Sequence, residues 1–230
     1  MQKNQLDSSQ AGFSLIELAV ALVVLGLILG GIFKGKELIE QGKLQKTVSQ
    51  ITDYQMALIQ FVEQYEAFPG DFSMASATWG ERAVDGNQNG IIEGRGLQAG
   101  SEAVQFWQHL FLAGFIQDPG NPPNNGQAHF GQGVPKSPLG GGITVETDPE
   151  DDLKGLWMVL GRENGNRGNG PLLTPAQAMA IDRKLDNGNP VSGRIRAREG
   201  SGVSQGRCVA NGKYALQHKE PACIVYISLQ

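Results

Sequence analysis

The sequence has few of the residues that build metal and redox centres. Its 230 residues include two cysteines, Cys208 and Cys223, and three histidines. The cysteine spacing matches neither a CxxC redox motif nor a zinc site, and the histidines lie far apart. The formal net charge is −4, which gives no general attraction to nucleic acid, whose binding proteins carry a basic footprint. We therefore expect neither a zinc protein nor a nucleic acid partner.

A complete set of catalytic residues is also missing. The stretch 202–206, with Ser204 at its centre, has the spacing of a nucleophile elbow, but it follows charged residues 194–198 instead of a buried strand. No aspartate lies after it, only His218 and Glu220. The sequence therefore predicts a protein that is not an enzyme.

Glycine, by contrast, is abundant. The chain has 32 glycines, about twice the average usage of about 7%. Most of them lie after position 69, so we expect a loop-rich globular part. The length suits one domain, or one domain with an appendage.

One apolar segment, residues 13–33, stands out near the start of the chain. Its length is enough to cross a hydrocarbon core of about 30 Å. It contains one carboxylate, Glu17, which costs about 2.5–3.5 kcal/mol at membrane depth and is a functional hypothesis by default. A cleaved signal peptide would need an A-x-A-like site after the apolar core, and residues 30–34 contain none. A plain membrane anchor leaves Glu17 unexplained.

The stretch Gly12-Phe13-Ser14-Leu15-Ile16-Glu17 resembles the processing site of type IV prepilins and pseudopilins. The resemblance implies that a prepilin peptidase removes residues 1–12 as a leader peptide and that the new amino terminus, on Phe13, is methylated. It also implies that Glu17 guides assembly with other pilin or pseudopilin subunits. The chain would be a single-pass inner-membrane protein with its head in the periplasm, and would be periplasmic or extracellular once assembled in a filament.

A long helix is predicted to contain this segment. Apolar residues recur at three-, four- and seven-residue steps from Leu44 to Tyr65, which is the signature of one apolar face. The helix would have a transmembrane half, residues 13–33, and an amphipathic half, residues 34–66, together about 53 residues. It should stop at Pro69 and Gly70. Four glycines form overlapping GxxxG pairs, which permit close helix approach or equally loosen the helix: Gly26, Gly30, Gly31 and Gly35.

Residues 67–230 form the predicted globular head. The resemblance implies a pilin-like α+β fold, in which the long helix packs on a small antiparallel sheet with long loops. We expect a short helix between Ser101 and Gly114 and another from Thr174, each opened by a capping side chain. Four segments have strand patterns, and we expect a flexible loop over 161–170: the strands are 142–145, 156–160, 194–198 and 222–229.

The stretch Asp85-x-Asn87-x-Asn89-Gly90 matches the start of an EF-hand-type calcium loop. Position 12 of that loop is Gly96 instead of glutamate, so the loop is not a complete EF-hand. The alternative is an asparagine–glycine turn with solvated side chains. If calcium is the cofactor, six residues are the expected ligands, with Ile91 contributing its carbonyl and Glu93 or Glu102 the missing carboxylate: Asp85, Asn87, Asn89, Ile91, Glu93 and Glu102.

Two features near the C-terminus leave alternatives open. Outside the cytoplasm, Cys208 and Cys223 would form a disulfide, which would contribute about 3 kcal/mol for a loop of about 15 residues; the alternative is two buried thiols. A group of arginines either forms a structural face that pairs with the acidic turns or contacts DNA or another polyanion: Arg194, Arg196, Arg198 and Arg207.

The sequence predicts a structural subunit of a type IV pilus or of a type II secretion-like filament. Removing residues 1–12 leaves 218 of 230 residues, which is longer than the resemblance implies for a small major pilin. A minor or specialised subunit is therefore the interpretation we favour. The alternatives are a membrane-anchored extracytoplasmic, calcium-dependent binding module and an anchored hydrolase.

Overall fold

The computed structural model describes residues 14–123 and 126–229. The predicted leader and Phe13 lie outside the described residues. The chain divides into two compact units, Met1–Gly42 and Lys43–Gln230.

A single helix, α1 (Leu15–Tyr65), has the extent that the hydrophobic pattern predicts. In the first unit the large apolar side chains whose burial is described are exposed, including Leu15 and Leu27. Among the described residues, α1 is the one helix long and apolar enough to cross a membrane. The helix ends at Tyr65, four residues before Pro69, and Glu66 follows it with a left-handed φ of 52°. The predicted turn at Gly70 is present, because Gly70 has a φ of 87° and a Cβ there would collide with the carbonyl oxygen of Glu102.

The second unit is built on an antiparallel sheet. The strand order is β3-β4-β9-β6, with β5 paired to β4 beside this path. The C-terminal strand β9 is therefore central, between β4 and β6. The helices and strands after α1 have these bounds: α2 (Ala75–Trp79), α3 (Glu102–Leu112), β1 (His129–Phe130), β2 (Gly133–Val134), β3 (Gly142–Thr147), β4 (Leu156–Asn164), β5 (Arg167–Gly170), α4 (Pro175–Leu185), β6 (Ile195–Glu199), β7 (Val209–Ala210), β8 (Lys213–Tyr214) and β9 (Cys223–Ser228).

One hydrophobic core joins the second half of α1 to α3, α4 and one face of the sheet. Ile51 and Phe61 of α1 and Trp107 of α3 are fully buried. Each such side chain contributes about 1.5–3 kcal/mol when it is removed from water. A second, smaller cluster lies on the opposite face of the sheet, where Leu153 covers four strand residues: Trp157, Val159, Ile224 and Tyr226. The α+β architecture predicted from the sequence is confirmed.

The predicted starts of α3 and α4 are also confirmed. The Ser101 hydroxyl accepts a hydrogen bond from the Val104 amide. Thr174 and Gln177 form a complete capping box at the start of α4, with Pro175 in the first turn.

The prediction of a flexible loop over 161–170 is wrong. This segment is a hairpin in which β4 and β5 pair, joined by a turn at Gly165, whose φ is 56°. The glycines are needed because the strands approach closely: a Cβ at Gly161 would collide with the carbonyl oxygen of Gly168. Here glycine marks a close backbone approach instead of mobility.

The His109 side chain stabilises the turn at Gly70, which follows the end of α1. Its ring is fully buried; Nδ1 accepts a hydrogen bond from the Gly70 amide at 2.8 Å, and Nε2 lies 2.9 Å from the carbonyl oxygen of Val84. These partners require the proton on Nε2. The ring also stacks on Phe61, with centroids 6.3 Å apart. Burial lowers the pKa of His109 below its usual value.

The stability of the second unit should therefore fall in mild acid. Below a pH of about 6.5 the histidine of the unfolded chain binds a proton, whereas the buried ring of the native state stays neutral. The free energy of unfolding therefore falls by up to about 1.4 kcal/mol for each pH unit. The measurement is the urea midpoint of the detergent-solubilised chain at pH 7.5 and at pH 5. His109→Gln should shrink the difference between the two midpoints, whereas His218→Gln should leave it unchanged. Equal pH dependence in all three proteins would contradict the assignment.

Candidate functional site

Glu17 lies in the first turn of α1 and makes a reciprocal pair of hydrogen bonds with Ser14. The Ser14 amide donates to Glu17 Oε2 at 2.9 Å, and the Glu17 amide donates to the Ser14 hydroxyl at 3.2 Å. This is a capping box, which satisfies two amides that the helix itself leaves free. The sequence reasoning missed it, although serine three residues before glutamate at the start of an apolar run is its signature.

The carboxylate of Glu17 therefore has a structural partner inside its own chain. A negative charge at a helix N-terminus is also favoured by the helix dipole. Gly12 and Phe13, which complete the predicted processing site, lie outside the described residues, and their roles stay predictions.

The predicted calcium ligands do not all converge. Both carboxylate oxygens of Asp85 accept hydrogen bonds from Ser76, one from the amide and one from the hydroxyl, each at 2.7 Å. These bonds lower the pKa of Asp85. Asp85 therefore secures the start of α2, and this contact gives it a purpose other than metal binding.

The other predicted side chains meet at the loop. The Glu93 carboxylate accepts hydrogen bonds from the side-chain amides of Asn87 (3.0 Å) and Asn89 (3.2 Å). The Glu102 carboxylate accepts from the backbone amides of Asn87 and Glu93. The Ile91 amide donates to the side-chain oxygen of Asn89 at 2.8 Å. The asparagine side chains are therefore hydrogen-bonded within the loop and not solvated as the alternative predicted, and calcium would have to replace several of these contacts.

Asp71 is a further carboxylate at this loop that the sequence reasoning missed. It is 2% exposed and accepts hydrogen bonds from the backbone amides of Asn89 (3.0 Å) and Gly90 (2.8 Å). No spacing rule links position 71 to positions 89 and 90, so only the fold brings them together. Burial raises the pKa of Glu102, and the charges of Asp71 and Glu93 add to the shift.

The residues at this loop fit a cation in part. Within residues 14–123 and 126–229, no group of three His, Cys, Asp or Glu side chains is arranged to hold a metal ion. A calcium ion here would depend on the amide and carbonyl oxygens of Asn87, Asn89 and Ile91 beside Glu93 and Glu102, without Asp85. The calcium site stays a prediction.

The predicted disulfide is present. Cys208 and Cys223 are bonded, with Cα atoms 5.0 Å apart, and both are fully buried. The bond joins the loop after β6 to the central strand β9. The Glu199 carboxylate supports the same loop, because one of its oxygens accepts from three backbone amides: Gly206, Cys208 and Val209.

The arginine group pairs with the acidic turn at one residue only. Arg198 forms an ion pair with Asp152. Arg194 and Arg196 donate to the backbone carbonyls of Leu185 and Gly193. In the described parts of the chain, Arg194, Arg196 and Arg207 have no carboxylate within ion-pair distance, so the predicted structural face of paired charges is largely wrong.

The candidate elbow serine lies in a shallow cavity of about 180 Å³ lined also by His218 and Glu220. Among the described residues, no hydrogen bond connects these three side chains. A nucleophile needs a base within hydrogen-bond reach, which in turn is oriented by a third group. The geometry therefore adds no support to a hydrolase.

The N-terminal stretch matches a known sequence motif. A family model described as the prokaryotic N-terminal methylation motif matches residues 7–33. The chain carries a type IV prepilin-like motif. This motif implies a pilin-like or pseudopilin-like subunit processed by prepilin peptidase, and such subunits are typically non-enzymatic. An apolar N-terminal helix with this motif fits membrane anchoring before assembly. No curated protein and no solved structure matches the chain.

The capping box gives Glu17 a structural role in its own chain, and the role in assembly that the sequence predicts can be tested separately from it. Glu17→Gln keeps a side chain able to complete the box but removes the charge, whereas Glu17→Ala removes both. If the charge guides assembly, both variants should lose filaments to a similar extent, measured in the fraction sheared from cells.

The matched control is Ser14→Ala, which costs the cap about 1 kcal/mol but keeps the Glu17 charge. It should still assemble. Assembly by Glu17→Gln together with failure of Ser14→Ala would mean that the cap, and not the charge, is what matters.

Proposed function

We propose that the protein is a minor or specialised subunit of a type IV pilus or of a type II secretion-like filament. The observation that supports this most directly is the methylation motif at residues 7–33, placed at the start of an exposed apolar helix. The second unit, with its own core and disulfide, is the proposed head.

In this proposal, residues 1–12 are a leader and the mature chain begins at Phe13. Residues 13–33 hold the precursor in the inner membrane, residues 34–66 continue the helix, and residues 67–230 form the head. The head lies in the periplasm until the subunit enters a filament. The partners are prepilin peptidase and other pilin or pseudopilin subunits.

Cleavage after Gly12 creates the chemistry that assembly needs. It frees an amine on Phe13, and this cation has no partner if it stays in the lipid. The Glu17 carboxylate of a neighbouring subunit supplies the opposite charge. Pairing offsets the cost of holding two single charges in a medium of low dielectric constant. The Ser14–Glu17 capping box keeps the carboxylate ordered at the helix start in the meantime.

Mass spectrometry of the mature N-terminus tests this function. The expected species begins at methyl-Phe13, and Gly12→Val should remain uncut because the peptidase no longer meets glycine at the cleavage position. Gly26→Val, a change of the same kind inside the apolar helix, is the control for insertion and should be cleaved normally. An intact Met1 in the unmodified chain, or cleavage near Gly30, would exclude the proposal.

Calcium binding by the head is a second proposal, favoured by the carboxylates around the loop at 85–93. Asp71, Glu93 and Glu102 face this loop, and among the described residues no basic side chain forms an ion pair with any of them. The raised pKa of Glu102 is the expected consequence of burial beside like charges. A divalent cation bound by Asn87, Asn89 and Glu93 oxygens would offset this repulsion.

Thermal unfolding of the detergent-solubilised chain in millimolar calcium or magnesium tests the second proposal. Each 1 kcal/mol of calcium binding should raise Tm by about 2–4 °C for a unit of this size, and magnesium should raise it less. Glu93→Gln should abolish the calcium shift, whereas Glu81→Gln, outside the loop, should preserve it. The absence of any calcium shift, or an equal shift with magnesium, would rule out a calcium site.

A further inference from the structure

The second unit carries a group of basic side chains where its part of α1 begins. The Lys184 ammonium donates to the side-chain oxygen of Gln45, which places the end of α4 beside this part of α1. The Arg194 guanidinium donates a hydrogen bond to the Leu185 carbonyl, which holds the start of β6 beside the end of α4. We define the basic end by six residues, all exposed except the half-buried Arg196: Lys43, Lys46, Arg183, Lys184, Arg194 and Arg196.

Acidic residues at the basic end are few. Within residues 43–53 and 182–197, six basic residues stand against three acids: Asp53, Asp182 and Asp186. Asp182 is buried and accepts hydrogen bonds from the Gly188 amide and the Tyr214 hydroxyl. The Asp186 carboxylate accepts hydrogen bonds from the backbone amides of Arg194 and Ile195. The basic end therefore presents net positive charge to the solvent.

The opposite charge gathers where α1 ends. Tyr65 packs against Phe72 and Trp79, with ring centroids 5.2 Å and 5.3 Å apart, so the segment after α1 folds back beside its last turn. Residues 63–93 contain six acids and one base, Arg82. We define the acidic end by the five of these acids that are exposed: Glu63, Glu66, Glu81, Asp85 and Glu93.

The charges of the two ends are not neutralised within one copy. The ion pairs among the described residues lie elsewhere, for example Arg167 with Glu146 at 2.8 Å, and none involves a member of either end. The 20 residue steps from Gln45 to Tyr65 in α1 span about 30 Å at about 1.5 Å per residue. This distance exceeds the Debye length of about 8 Å at physiological salt, so the charges of one end do not neutralise those of the other.

Exposed apolar side chains accompany these charges. Three large ones lie at the acidic end, Met74, Val84 and Ile91, each about half exposed. Val191, 54% exposed, lies between α4 and β6 at the basic end. An exposed apolar residue surrounded by charge is typical of a contact surface that excludes water at its centre.

We propose that the acidic end of one copy docks on the basic end of the next copy of this chain. The contact joins two different surfaces, and such a head-to-tail contact builds an open filament when the rotation between successive copies does not close into a ring. This inference rests on the proposed filament function and adds which surfaces of the heads meet. A second copy is favoured over a nucleic acid or a lipid surface because the two complementary ends are on the same chain. A polyanion would occupy the basic end and be repelled by the acidic end.

Cysteine cross-linking in membranes of cells that produce the full chain tests the docking. Val84→Cys marks the acidic end and Val191→Cys marks the basic end, and within one copy these positions are too far apart to bond. Cells with both single-cysteine chains should give cross-linked dimers on mild oxidation. Either chain alone should give at least about tenfold less, because a head-to-tail contact does not bring like ends together.

Charge reversal then tests the electrostatic part. The base-reversed chain carries Lys46→Glu, Arg183→Glu and Arg194→Glu, and the acid-reversed chain carries Glu63→Lys, Glu66→Lys and Glu81→Lys. In either background the cross-linked yield should fall about tenfold, because like charges now face each other. When the acid-reversed chain bears Val84→Cys and the base-reversed chain bears Val191→Cys, the yield should return to that of the parent.

The matched control reverses three exposed bases outside the basic end, Arg162, Arg207 and Lys219, to glutamate and should leave cross-linking unchanged. A full yield in both reversed backgrounds, or strong cross-linking of Val84→Cys alone, would overturn the proposal. The proposal would also be overturned if the base-reversed chain kept its cross-linking yield but no longer bound anionic vesicles. That result would mean that the basic end binds lipid.

Mass spectrometry of the N-terminus in each sample distinguishes a failure of the docking proposal from a failure of the proposed function. If methyl-Phe13 is found and cross-linking does not respond to charge reversal, the docking surfaces are wrong and the filament function stands. If the chain is not processed at Gly12, the proposed function itself fails.

Discussion

Burial of one face of α1 after Gly42 is the constraint on which the second unit depends. Val48, Ile51, Leu58 and Phe61 are nearly inaccessible to solvent and belong to one core with residues of α3 and the sheet. Each contributes about 1.5–3 kcal/mol, and a native protein is stable by about 5–15 kcal/mol in total. Loss of any one of these side chains would therefore remove a sizeable part of that margin, and the loops and the sheet are arranged around this face.

Polar groups inside this unit fix the loops to that core. Glu146, 1% exposed, accepts from Arg95 and Arg167 and from the Gly96 amide, and so fastens the segment before α3 to β3. A buried carboxylate of this kind is costly when unpaired, which makes the arrangement specific. Interior charges are paired in this way, whereas in the described parts of the chain no charge at either end belongs to an ion pair.

Much of the fold followed from local patterns. The helical period from Leu44 to Tyr65, the capping residues Ser101 and Thr174, and the apolar alternation of the C-terminal strand each depend on neighbours a few positions away. The hairpin at 161–170 was misjudged because glycine allows both a loop and a close strand pair, and only the opposing strand decides between them. The Ser14–Glu17 box was readable from the sequence, but the membrane cost of Glu17 drew attention to its charge alone.

The sequence by itself determined the processing motif, the apolar helix and the presence of two cysteines, because each is a property of adjacent or regularly spaced residues. Only the tertiary structure decided how distant residues combine. It placed Asp71 within hydrogen-bond distance of the Gly90 amide and Asp85 within hydrogen-bond distance of Ser76. Asp85 is therefore separated from the other expected calcium ligands. It also brought Lys184 to Gln45, far apart in the chain, at one end of the second unit. Side chains from separate segments meet only after the core has formed, so no spacing rule could have placed them.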